Sequence, residues 1–179
     1  GDFPRDAFLD AIDDSVRLVS IISPCNPSGA IVPKDDILAI AEKCQAVGAV
    51  LMLDQAYIEF ADEDPIGSVI DFANVVIVRT FSKAFGGAGL RVGYAIAPEP
   101  IATWLRTAGG PYPVASLSIA IASAIYKRRE KRTPIIEQTR FNRDTLIETL
   151  QSQGIKAMES QANFVLARFD DAASVYAQL

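Results

Sequence analysis

The sequence predicts an α/β fold: a mostly parallel sheet with helices on both faces, followed by part of a smaller α+β unit. Three observations carry this expectation. Short continuous apolar runs alternate with stretches of helical period. Each run stops at a polar or turn residue, as strands ending at a ligand-binding edge do. Half of the 179 residues are apolar, enough for strands covered by helices on both sides.

The elements follow in order. Val16–Ile22 is a β-branched run stopped by Ser23-Pro24. Residues 37, 38, 40, 41, 44 and 47 give Lys34–Val47 a helical period. Asp35 and Asp36 suit the positive end of its dipole, and Gly48 is placed as its C-terminal cap. Ala49–Leu53 is an apolar strand ending at Asp54, and Val75–Val78 another, ending at Arg79-Thr80. Val92–Ala97 follows a glycine-rich turn and is stopped by Pro98 and Pro100. Ile101–Thr107 and Ser116–Tyr126 read as helices, and the charged run Lys127–Arg132 as a solvated helix end. Pro134 opens a long amphipathic helix through Leu150, which Gly154 ends. Ile155–Met158 and Phe164–Ala167 are expected strands of a second, smaller layer, and Asp171–Leu179 a further helix. The chain opens with Gly rather than Met and stops inside that helix, so a piece of a longer protein is expected.

Composition removes several function classes. A net charge of −5 argues against a general nucleic-acid surface. The longest apolar run, Ala46–Leu53, is far too short to span a bilayer. Neither a secretory signal nor a lipidation motif is visible. Two cysteines, Cys25 and Cys44, form no disulfide framework and fit reduced thiols in a cytoplasmic protein. Without histidine, Ser-His-Asp and Cys-His catalysis and most catalytic zinc sites drop out, and no metal is expected.

Polar residues gather at three predicted strand ends: Asn26 in Pro24-Cys-Asn-Pro-Ser-Gly29, Asp54 and Tyr57 in Asp54-Gln-Ala-Tyr57, and Thr80, Ser82 and Lys83. Each has a plainer reading. Asn26-Pro27 with Gly29 is turn chemistry. Asp54 resembles a Walker B aspartate, yet no Gly-x-x-x-x-Gly-Lys-Ser/Thr loop accompanies it. Lys83 alone could be a surface residue, and Arg91 an ion-pair partner. Gly86, Gly87, Gly89 and Gly93 have the wrong spacing for a dinucleotide loop and precede a strand. What argues for a site is their coincidence: an amine beside hydroxyls and a guanidinium, all on neighbouring strand ends.

Asn26-Pro-Ser-Gly, Asp54-Gln-Ala-Tyr-Ile-Glu-Phe and Arg79-Thr-Phe-Ser-Lys-Ala-Phe-Gly-Gly-Ala-Gly-Leu-Arg-Val-Gly-Tyr94 resemble fold-type I pyridoxal-phosphate-dependent aminotransferases, most of all the histidinol-phosphate aminotransferase branch. The resemblance covers essentially the whole chain and is strongest from Asn26 to Tyr94. It implies a Schiff base between Lys83 and pyridoxal 5'-phosphate, with Asp54 on the pyridine nitrogen. Asn26 and Tyr57 would bond the phenolic oxygen, and Thr80, Ser82 and Arg91 the phosphate. It further implies amino-acid or histidinol-phosphate and 2-oxo-acid substrates, and a cytoplasmic parent homodimer. Residues 1–128 would be part of the large cofactor-binding domain and 129–179 part of the small C-terminal one.

Departures accompany the likeness. Gln55 stands where the family usually has glutamate, and Gly87 where a larger apolar residue is common, which would loosen the turn. Pro113 and Ala115 replace asparagines. Asn163 is placed either toward the substrate or at a strand start. The family's N-terminal phosphate loop, stacking aromatic and C-terminal carboxylate-binding arginine lie outside residues 1–179; Arg168 falls too early for that arginine. A decarboxylase or lyase using the same lysine is an alternative, because the bond that breaks depends on how the substrate is held. A non-catalytic truncated remnant is another.

Overall fold

The computed structural model describes residues 3–111 and 113–179. Its first part runs α1 (Arg5–Asp10), β1 (Leu18–Ile22), α2 (Lys34–Val47), β2 (Val50–Asp54), α3 (Ile66–Val69) and β3 (Val75–Thr80). Then come β4 (Gly93–Ile96), α4 (Glu99–Ala108), α5 (Ser116–Tyr126), α6 (Thr133–Ser152), β5 (Lys156–Ala157), β6 (Ala167–Arg168) and α7 (Ala172–Gln178). Short 3-10 turns occupy Ile58–Phe60, Ala88–Leu90 and Arg129–Arg132.

The main sheet has the order β1-β2-β3-β4. The first three strands are parallel, because α2 and α3 carry the chain back before each new strand. β4 is antiparallel to β3. Residues 81–92 form a compact turn with no crossover helix, so the chain can only return alongside β3. The mostly parallel α/β architecture is as the sequence predicts, and the antiparallel last strand follows from that turn. β5 and β6 pair antiparallel in a separate two-stranded sheet.

The core lies where α2 meets the parallel strands: Val19, Ile21, Leu51, Leu53, Val75 and Ile77 pack with Ile37, Ile40, Ala41 and Cys44. Cover is uneven among the described residues. In β1, Val19 and Ile21 are buried, while Leu18 and Ile22 on the opposite face are exposed. Burial raises the pKa of the Cys44 thiol, which makes it an inert core group. No helix among the described residues is long and apolar enough to cross a membrane.

Most expected elements appear within two residues of their predicted ends. Phe164–Ala167 is a difference: β6 holds only Ala167–Arg168, because Phe164 leaves the strand path to pack edge-on against Tyr57. Helices α1 and α3 are too short to show a period. Tyr112, which precedes Pro113, lies outside the described residues.

Gly48 ends α2 at φ 73°, ψ 22°, its N–H reaching the carbonyls of Cys44 and Gln45. Nothing lies within 4 Å of where a Cβ would sit, so the cost of a side chain there is conformational alone. Gly48→Ala is expected to lower unfolding free energy by about 1–2 kcal/mol. Denaturant titration should show this with an unchanged m value.

Candidate active site

The parallel register brings the three polar strand ends together. Ile22 lies opposite Asp54, and Asp54 opposite Val78. The turn after β1, the last residue of β2 and the turn after β3 therefore open at the same edge. Asp54 is half-buried, and one carboxylate oxygen accepts from Ala56 N–H at 2.9 Å. Tyr57 is buried, its ring meeting Phe164 at 5.1 Å and 90°. The Asn26 side-chain amide donates to the Tyr57 hydroxyl at 3.0 Å, which leaves the phenol's own proton free to donate elsewhere. Lys83 Nζ stands 5.1 Å from the centre of the Tyr57 ring. Residues separated by 57 positions in sequence are thus one cluster.

The turn after Lys83 is tightly built. Thr80 Oγ1 accepts from Ser82 N–H at 3.1 Å, so the threonine shapes the turn that presents the serine hydroxyl and the lysine. Gly87 N–H donates to Phe81 O at 2.8 Å. A Cβ on Gly87 would stand 3.0 Å from that oxygen and 3.2 Å from Leu90 Cδ1. Glycine therefore tightens this turn rather than loosening it, and Leu90 fills the space of a larger residue. Arg91 has φ 54° and is exposed; Nη1 donates to Ala88 O at 2.9 Å, and the rest of the fork has no partner among the described residues. The chain's backbone places Arg91 on the same turn as Ser82 and Lys83, with no hydrogen bond among the described residues joining their side chains.

Two supports went unrecognised in the sequence. Gln55 and Arg79 join β2 to β3 beside the cluster, with Gln55 Oε1 accepting from Arg79 Nε and Nη2 at 3.0 and 2.7 Å. The loop after Tyr57 is held from α6. Buried Arg143 donates to Phe60 O at 3.1 Å and Ala162 O at 3.4 Å, and Arg140 to the carbonyls of Glu59 and Ala61. Gln161 closes the frame by bonding Asp62 through both side-chain atoms, at 2.7 and 2.8 Å, and Gly29 O through its N–H at 2.8 Å. Gly29 has φ 75°, and a Cβ there would lie 2.6 Å from Ser160 Cβ. The i,i+3 spacing of Arg140 and Arg143 on one helix was the available signal. Asn163 is exposed between Ala162 and Phe164, both of which pack on Tyr57. Arg168 is exposed in β6.

A family model described as aminotransferase class I and II matches residues 4–178. The chain belongs to the class I and II aminotransferase family. It is 36% identical over 176 residues to a histidinol-phosphate aminotransferase of a Thermoanaerobacter species, a match covering 96% of this chain and 48% of the relative. An aromatic amino acid aminotransferase of Streptomyces coelicolor is 34% identical over 176 residues, covering 96% and 49%. Among solved structures, histidinol-phosphate aminotransferase from Sinorhizobium meliloti, in complex with pyridoxal-5'-phosphate, superposes with a TM-score of 0.85 at 29% identity. That superposition covers 99% of this chain and 49% of the other. The chain spans about half the length of the curated relatives it matches.

Glu59, in the loop held by Arg140, is a partly buried carboxyl. Burial is the largest influence and raises its pKa, against its own backbone N–H and Arg79 and with a push from Asp64. Folded Glu59 therefore binds a proton more readily than unfolded Glu59. Its ionisation costs stability above the folded pKa and nothing below the unfolded value of about 4.3. Glu59→Gln is expected to stabilise the protein at about pH 7, with the gain fading as pH falls toward about 4. Denaturant titrations at the two pH values check this.

Proposed function

We propose that the protein carrying this chain is a pyridoxal-phosphate-dependent aminotransferase. The observation behind this reading is Lys83 Nζ standing over the Tyr57 ring, with Asn26 on that phenol and Asp54 ending the next strand. The donor set fits pyridoxal 5'-phosphate. It offers an amine for the aldehyde carbon, a carboxylate for the ring nitrogen, a phenol and an amide for the ring oxygen, and hydroxyls with a guanidinium for the phosphate.

When bound, the cofactor supplies a sink for the electrons left at the substrate α-carbon. The chain's own residues do the rest. Asp54 holds the proton on the ring nitrogen through a charge-assisted hydrogen bond. Tyr57 donates its free proton to the ring oxygen, oriented by Asn26. Thr80 sets the turn, while Ser82 and Arg91 hold phosphate oxygens, which a planar guanidinium fork matches better than an ammonium would. Lys83 would anchor the cofactor, and its freed amine would accept the proton from the substrate α-carbon on Nζ and hand it back later in the cycle.

The amino donor in this reading is histidinol phosphate or an amino acid and the acceptor a 2-oxo acid, exchanged in a ping-pong cycle. The 36% identity to a histidinol-phosphate aminotransferase supports the first donor and a place in histidine biosynthesis. The 34% identity to an aromatic amino acid aminotransferase supports an aromatic donor as the second reading. The parent is taken as a cytoplasmic homodimer, with residues 1–128 in its large domain and 129–179 in its small one.

In the full-length protein, pyridoxal phosphate should give a visible absorption band that borohydride fixes covalently to Lys83, and Lys83→Ala should abolish it. Fixation at another lysine overturns the assignment. Transfer of the amino group from histidinol phosphate or an aromatic amino acid to a 2-oxo acid is the expected activity. Release of CO₂ or an elimination product would instead support the lyase alternative. Turnover by residues 1–179 alone would refute a non-catalytic remnant. Asp54→Asn is expected to lower kcat about ten- to hundredfold, matching a charge-assisted hydrogen bond of about 1.5–3 kcal/mol. Its unfolding free energy should change far less.

A further inference from the structure

Gln55 is fully buried, with 0% of its surface exposed. It follows Asp54 directly, and its partner Arg79 directly precedes Thr80. The two-point bond from Arg79 Nε and Nη2 to Gln55 Oε1, at 3.0 and 2.7 Å, therefore ties the two strand ends that carry Asp54 and Lys83. The main chain reinforces it, with Gln55 N–H donating to Val78 O at 2.9 Å. Arg79 Nη2 also meets both oxygens of Asp64, at 2.8 and 2.6 Å, and Asp64 in turn accepts from Ile66 N–H at 3.0 Å at the start of α3.

What position 55 supplies to Arg79 is an acceptor oxygen. Asp64 already balances the Arg79 charge, and Glu59 is a second carboxyl in the same field. A carboxylate at this position would accept the same two N–H bonds while sharing the Arg79 charge with Asp64. The amide oxygen accepts the same two N–H bonds without charge. The arrangement leaves Gln55 Nε2 buried with no partner among the described residues. An apolar side chain of similar size would remove that orphaned donor but leave Arg79 Nε without its acceptor. The oxygen is the useful atom.

We infer that Gln55 and Arg79 are positioning residues of the cofactor site, a neutral clamp fixing the Asp54 carboxylate relative to the Thr80–Lys83 turn. The inference rests on the function proposed above for those two residues. Neither clamp residue needs to touch the cofactor. The clamp acts through the two strand ends, and the Ala56 N–H, bonded to Asp54 Oδ1, reports whether the carboxylate is held.

The test uses the full-length protein with Gln55→Met, Gln55→Glu and Arg79→Lys. Two quantities are read: amide hydrogen exchange of Ala56 without cofactor, and the dissociation constant for pyridoxal phosphate. Gln55→Met removes both the acceptor and the orphaned donor. Arg79→Lys keeps the charge opposite Asp64 and loses the two-point bond. Each is expected to speed Ala56 exchange and weaken cofactor binding by about tenfold or more, the size of one lost hydrogen bond to a charged group. Gln55→Glu restores the acceptor and should hold both readouts within about threefold of the parent. The core change Ile40→Val, remote from the clamp, controls for general destabilisation: it should lower the melting temperature without moving either readout. Should Gln55→Met fail to fold, Arg79→Lys against Gln55→Glu decides the matter. The clamp is overturned if the folded Gln55→Met or Arg79→Lys protein keeps parental Ala56 protection and cofactor affinity, whatever its melting temperature. A parent protein that takes up no cofactor would sink the proposed function instead, leaving Ala56 exchange to judge the clamp by itself.

Discussion

Parallel pairing in register is the constraint on which the site depends. With Ile22, Asp54 and Val78 side by side, three separate turns emerge at one edge of the sheet. Antiparallel neighbours would have sent alternate turns to opposite edges, leaving Asp54 apart from Asn26 and Lys83. The register is itself maintained by the core beneath it. Leu51 and Leu53 are completely buried, so a one-residue slip of β2 would turn both toward the other face and bring half-exposed Met52 and Asp54 into the core. Hydrophobic burial on one side of the sheet thereby sets the position of a carboxylate at its end.

β4 adds a different kind of order. Its return alongside β3 brings Gly93 so close to the Arg79 carbonyl that a Cβ would stand 2.9 Å from it. Tyr94 lies opposite Arg79 in the ladder, and burial raises the pKa of its hydroxyl. Arg79 thus sits between a buried amide, a carboxylate and a phenol whose burial favours the neutral form. The base of the lysine turn is polar, yet little net charge is left there.

Much of this was legible because strand ends, caps and apolar periods are local properties. The bounds of α2 and α5 follow directly from sequence period and flanking residues, and the Asn26, Asp54 and Lys83 positions follow from where apolar runs stop. The missing parts were long-range. Nothing near Gln55 says that Arg79 will bond it, and nothing in α6 says that Arg143 will reach the carbonyl of Phe60, 83 positions earlier. Phe164 looked like strand because its neighbours are apolar, but its ring is better buried against Tyr57 than in a two-residue ladder. Such contacts depend on which surfaces meet, and a hydrophobic pattern does not encode that.

The Asn26-Pro-Ser-Gly29 turn looks like a local motif, with glycine chosen for its left-handed backbone. Its tightest neighbour is nevertheless Ser160, whose own Cα would lie 2.9 Å from any Cβ placed on Gly29. Even a glycine at 160 would not make room. Position 29 is therefore disfavoured for a side chain by its torsion and closed to one by a segment 131 residues downstream. In evolutionary terms, the loop carrying Asn26 cannot drift independently of the 160–162 segment, because a side chain at 29 displaces both.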